Sequence, residues 1–74
     1  MKILTRKKQD DILKLLTANL IININTSMDV ESFQYTVDNI YKIATIVDGL
    51  NGLNKVHNTC SRYVSKKISE LEKD

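Results

Sequence analysis

Apolar residues recur along this chain at intervals of three and four, and at no sustained interval of two. That spacing marks helices that bury one face. In the first segment the seam is Leu13, Leu16, Leu20 and Ile24, flanked by Ile12 and Leu15. Lys7, Asp11, Lys14 and Ala18 fall on the outward side, which predicts a helix over about 5–24. Its tail, Ile22-Asn23-Ile24-Asn25, alternates apolar and polar and can leave the helix as an extended piece, too short to build a sheet. Asn25 to Asp29 reads as a turn. Thr26 or Ser27 can cap the next helix, and Thr26 and Asp29 have the spacing of a capping box with Asp in place of Glu. Asp29 and Glu31 sit where a helix dipole favours anions.

The second segment carries the clearest pattern. Val30, Phe33, Val37, Ile40, Ala44 and Val47 form an unbroken heptad stripe, widened by Ile43 and Leu50 on one side and Tyr41 on the other. This predicts a helix over about 28–49, stopped by Gly49 or by Asn51-Gly52. A third helix, over about 54–72, has Asn54 as its cap and Val56, Cys60, Tyr63, Val64, Ile68 and Leu71 on its apolar side. Lys55, Asn58, Thr59, Arg62 and Lys66 form its polar side. Short connections between three such helices predict an all-α fold, a small three-helix bundle with up-down-up topology, as a single domain over residues 1–74.

Size sharpens this picture. A chain of 74 residues has room for one core and buries only about 60% of the surface its unfolded form exposes. Self-association or a partner is a common remedy for so small a core. One cysteine excludes an internal disulfide framework and suits a reducing compartment. No apolar run approaches the ~20 residues that span a bilayer. The basic start Arg6-Lys7-Lys8 has no signal-peptide apolar stretch behind it, so the expectation is a cytoplasmic protein with no membrane partner. The Asn25-Thr26-Ser27 sequon is then a chance match.

Net charge is +2, too small to argue for nucleic acid by itself. Its distribution says more. Residues 1–25 carry five basic and two acidic side chains, residues 26–52 one and four, and residues 53–74 five and three. Basic ends flank an acidic middle. Packed elements of alternating sign that attract weakly account for this better than a dedicated electrostatic site does.

Little in the chain supports catalysis. His57 and Cys60 are the only pair of metal-ligating or nucleophilic type, at the i, i+3 spacing that puts both on one side of a helix. Zinc needs four ligands, or three and a water, so a site requires carboxylates or a second subunit. A buried cysteine beside a boundary histidine is the simpler reading. Gly49 and Gly52 fit no phosphate-cradling spacing, and Asp10-Asp11 and Glu70/Asp74 lie in charged stretches. The expectation is no enzyme, no metal and no cofactor.

Nucleic-acid binding is an alternative. A helix-turn-helix across the second and third helices fails in both registers. With Gly49 as the turn, Lys55 and Asn58 occupy the apolar positions; with Gly52, Asn58 and Ser61 do. A basic face remains, built from Arg6, Lys7, Lys8, Lys55, Arg62 and Lys66, which can touch phosphates.

Protein binding is the leading class. Met28, Tyr35, Asn39, Lys42 and Ile46 fall opposite the heptad stripe of the second helix. Apolar groups outside a core stripe can mark an interface, although single exposed ones are normal. Glu31, Asp38 and Asp48 add negative charge there. The same face can serve a homodimer.

Ile, Asn, Lys and Tyr make up 28 of the 74 residues, a bias of AT-rich codons that points to a low-GC genome. The opening Met1–Leu16, MKILTRKKQDDILKLL, and the stretch Val47–Tyr63, VDGLNGLNKVHNTCSRY, resemble those of short proteins of phages of low-GC Gram-positive bacteria. The likeness covers most of the chain in general texture, without a diagnostic motif. It implies a phage protein that binds and blocks a host machine. Type II-A anti-CRISPR proteins, which inhibit Cas9, are one such group, with Cas9 and its guide RNA as the partner. The resemblance assigns no functional residue.

Overall fold

A computed structural model describes residues 4–73 of the chain. Among them the fold is all-α, with no strand. Helix α1 spans Arg6–Thr26 and helix α2 spans Val30–Glu72. The count is therefore two helical elements and not the expected three, because the second and third predicted helices run into one another.

α2 is not straight. Asp48 (φ −148°, ψ 30°) and Gly49 (φ 57°, ψ −148°) leave helical geometry. A straight helix of 43 residues would be about 65 Å long, whereas the longest dimension of the molecule is 48 Å. Val37 and Ile68 border the same surface recess, so the chain folds back at the break. We refer to residues 30–47 as the N-terminal arm of α2 and to residues 50–72 as its C-terminal arm.

The two glycines do different jobs at this bend. Gly49 has a positive φ combined with an extended ψ, a region that L side chains scarcely enter. It supplies the break. Gly52 is helical and buried, and a Cβ there would collide with the Ala44 carbonyl oxygen. It supplies the space in which the two arms meet. Asn54 consequently lies inside the C-terminal arm and is not the cap expected of it.

The other connection lies two residues further along the chain than the predicted bounds place it. α1 continues through Ile22–Asn25 without becoming extended and ends at Thr26, where the Ser27 amide donates to the Asn23 carbonyl at 2.9 Å. Thr26 turns its hydroxyl back to the Ile22 carbonyl at 2.8 Å, so neither it nor Ser27 caps α2. Asp29 is the cap, accepting from the Ser32 amide at 2.9 Å. That bond holds the Asp29 carboxyl below its ordinary value. At the start of α1, Thr5 accepts from the Lys8 amide.

The predicted stripes converge on one core. It comprises Leu13, Leu16 and Leu20 of α1, Phe33, Val37, Ile40 and Ala44 of the N-terminal arm, and Val56, Cys60 and Val64 of the C-terminal arm. Ile12, Ile24, Tyr41, Val47, Ile68 and Leu71 pack around it, partly buried. Phe33, Leu20, Val56 and Cys60 are its largest fully enclosed side chains. Each large apolar one contributes about 1.5–3 kcal/mol by leaving water.

Four residues assigned to the apolar faces are exposed: Leu15, Ile43, Leu50 and Tyr63. Leu15 lies two residues beyond Leu13, about 200° around the helix, and so faces outward. Leu50 follows the break, where the phase of the stripe is reset. The apolar arcs are narrower than the sequence suggests.

Candidate functional site

The outer face of the N-terminal arm presents Tyr35, Asn39, Lys42 and Ile46 in one row. Their 4-3-4 spacing repeats that of Phe33, Val37, Ile40 and Ala44 on the opposite side, because both follow the helical period. Tyr35 is 70% exposed and Ile46 82%. Lys42 is exposed and Asn39 half-buried. Ile43, at the edge of the row, adds apolar surface that the sequence pattern had placed in the core. Met28 is exposed but precedes α2, so it belongs to the connection and not to this helical row.

The acidic residues near this face divide. Glu31 and Asp38 stay exposed. Asp48 is taken up at the bend, where Arg6 donates to it at 2.6 and 3.4 Å and the Asn51 amide nitrogen at 2.7 Å. These contacts, led by Arg6, hold the Asp48 carboxyl below its ordinary value. Gln9 donates to the Val47 carbonyl at 3.0 Å, which satisfies a backbone group freed by the break.

The proposed basic face is divided in the same way. Arg6 is engaged with Asp48 and, at 3.8 Å, with Asp10; Lys55 pairs with Asp10 at 3.3 Å. These two residues tie α1 to the bend and the C-terminal arm. Lys7 and Lys8 lie exposed on α1, and Arg62 and Lys66 exposed on the C-terminal arm. A shallow groove between α1 and the C-terminal arm is lined by Asp10, Leu13, Lys14, Thr17, Lys55 and Thr59, with both charges represented.

Burial divides His57 from Cys60, the first exposed and the second enclosed. Cys60 is fully buried, and burial pushes its thiol up, which disfavours the thiolate that nucleophilic or metal chemistry requires. His57 packs on Tyr41 instead, with ring centroids 5.8 Å apart and planes tilted by 54°. The Tyr41 hydroxyl is itself buried and finds no hydrogen-bond partner among the described residues, and burial, then Cys60, push it up. Sequence periodicity carries no signal for that orphaned hydroxyl. Among the described residues no three His, Cys, Asp or Glu side chains gather as metal ligands. No described helix is long and apolar enough to cross a membrane.

A second exposed apolar row, missed in the sequence, runs along α1. Leu15, Ala18 and Ile22 lie on its outer side, and Leu15 and Ile22 are 66% and 57% exposed. Comparison with family models, curated proteins and solved structures returned no match.

Proposed function

We propose that this chain is a protein-binding module, a phage-encoded inhibitor that acts in the host cytoplasm by covering a surface of a host machine. It acts by occlusion, without catalysis or cofactor. In this reading α1 and the two arms of α2 work as an up-down-up three-helix bundle, a rigid support for the N-terminal arm. The observation that carries the reading is the row Tyr35–Asn39–Lys42–Ile46. It offers an aromatic and an aliphatic anchor three turns apart, with polar groups between them, on the side of the arm that the core does not use. Cas9 with its guide RNA is the first partner to test.

The test is capture on the immobilised protein, from lysate of a low-GC Gram-positive host with and without nuclease, and with purified Cas9–guide complex. A chain carrying Tyr35→Ala and Ile46→Asp is run in parallel. Both positions are exposed, so circular dichroism should match the parent. Binding should weaken by about thirtyfold or more. Equal capture by the folded double variant would overturn this face as the site. Captured material that disappears with nuclease would shift the site to Lys7, Lys8, Arg62 and Lys66 and should then fall steeply with salt.

A further inference from the structure

We infer that the groove between α1 and the C-terminal arm of α2 is a second binding surface, which takes a single strand of nucleic acid. No residue of the N-terminal arm lines it, and the inference does not rest on the function proposed for the Tyr35–Ile46 row. Three observations carry it.

The first is the sorting of charge by element. No Asp or Glu occurs in residues 12–28 or in residues 49–69, whereas residues 29–48 hold four carboxylates and one lysine. The two helical segments that form the groove are therefore free of carboxylates over most of their length. Asp10 is the one carboxylate in its lining. It sits at the bend end, taken up by Lys55 at 3.3 Å and Arg6 at 3.8 Å. Lys14, Arg62 and Lys66 have no carboxylate partner among the described residues. Unpaired cations along a groove complement a polyanion.

The second is the continuity and polarity of the lining. Two recesses meet at Thr59. One is bordered by Leu13, Lys14, Thr17 and Lys55, the other by Asn58, Ser61, Arg62 and Tyr63. Lys66 lies exposed one helical turn beyond Arg62. From Lys55 to Lys66 the arm runs about 17 Å, enough for a short stretch of extended strand. The Thr17 and Thr59 hydroxyls donate to their own helices at 2.9 and 3.0 Å. Asn58, Ser61 and the cations are left to donate to phosphate oxygens. Leu13 is the only aliphatic side chain in the lining, so an acidic peptide finds no row of apolar anchor holes here.

The third is Tyr63. It stands among apolar positions in the sequence, yet it is 58% exposed and borders the second recess beside Arg62. An exposed ring next to cations lets an unpaired base stack while its phosphates are held. A duplex, whose bases already stack on one another, gains nothing from that ring.

The experiment is fluorescence anisotropy of the full chain with labelled oligo-dT, oligo-U, a duplex of equal length and a Glu-rich peptide, over a range of salt. Purified components keep it separate from capture through the Tyr35–Ile46 row. Single strands should bind at low salt, with a log–log salt slope of about −2, as three phosphate contacts at about 0.7 each require. Arg62→Gln combined with Lys66→Gln should bring the slope to about −0.7 and weaken binding by about tenfold or more. Tyr63→Ala should weaken single strands by about tenfold and leave the duplex unchanged, with Tyr63→Phe restoring the affinity. Tyr35→Ala should change none of these values. All four positions are exposed, and circular dichroism checks that each variant folds. A preference between oligo-dT and oligo-U would support the groove and name the sugar it accepts. No binding at low salt, tighter binding of the peptide than of either strand, or single-strand binding indifferent to Tyr63→Ala would each overturn it.

Discussion

The two ends of this molecule are held by different forces. At the bend, Arg6, Gln9 and Asp10 of α1 reach Asp48, Val47 and Lys55 of α2 through directional polar contacts. At the other end, the connection between Thr26 and Val30 is closed by bonds that stay local, Ser27 to Asn23 and Asp29 to Ser32. Among the described residues every long-range side-chain hydrogen bond belongs to the bend. The opposite end relies on enclosed apolar groups, with Leu20 and Phe33 at its centre and Ile24, Ile68 and Leu71 around them. A break in a helix frees backbone groups that must find partners, and so draws polar side chains toward it. A turn between two capped helices has its polar groups satisfied locally and needs only apolar cover.

That contrast can be broken at the apolar end with the largest effect. Phe33→Ala should cost about 3–5 kcal/mol, lost transfer energy plus a cavity, and leave a domain of this size largely unfolded. Urea titration followed by circular dichroism measures it. A loss below 1 kcal/mol would mean that the polar end holds the fold by itself.

Substitutions at the bend should cost less and separate its two glycines. Gly49→Ala places a side chain at φ 57°, ψ −148° and should cost about 1–3 kcal/mol through backbone strain, with open space around it. Gly52→Ala meets the Ala44 carbonyl and should cost a similar amount, about 1–3 kcal/mol, by forcing the arms apart. Hydrogen exchange distinguishes the two. Gly52→Ala should speed exchange on both arms near the bend, and Gly49→Ala chiefly at residues 48–51.

The smallest effect sharpens the electrostatic half. The Asp48 carboxyl is lowered in the folded state, chiefly by Arg6 and then by Asn51. Its contribution is therefore present above the ordinary carboxyl value of 3.8 and lost as pH falls through the lower folded value. Asp48→Asn should flatten the acid limb of the stability profile in that window. The Asp29 cap, lowered by Ser32, should leave a residual acid dependence. An unchanged acid limb in Asp48→Asn would show that the bend does not depend on this pair, as expected of many exposed ion pairs.

Much of the architecture was legible in the chain. Leu13, Leu16 and Leu20, then Phe33, Val37, Ile40 and Ala44, then Val56, Cys60 and Val64 announce three apolar stripes, and all ten residues are buried. The exposed row of Tyr35, Asn39, Lys42 and Ile46 was equally legible, because it is the complement of a regular stripe. Less legible was the state of Arg6 and Lys55. As sequence they are two of six basic residues; as structure they are bound to carboxylates from distant positions. The α1 row of Leu15, Ala18 and Ile22 was hidden because Leu15 was read as a flank of the buried seam.

The sequence by itself determined helical class and the buried stripes, and it placed both ends of α1 and the outer ends of α2 to within a few residues. These are local properties, carried by a 100° step per residue and by caps within one turn. Only the tertiary structure decided that α2 bends at Asp48–Gly49 while continuing as one element, that Gly52 is spent on close packing, and that Leu50 faces water. It also decided which charges pair. The physical reason is the break: it resets helical phase, so contacts beyond it depend on how the arms are turned, which no pattern along the chain records.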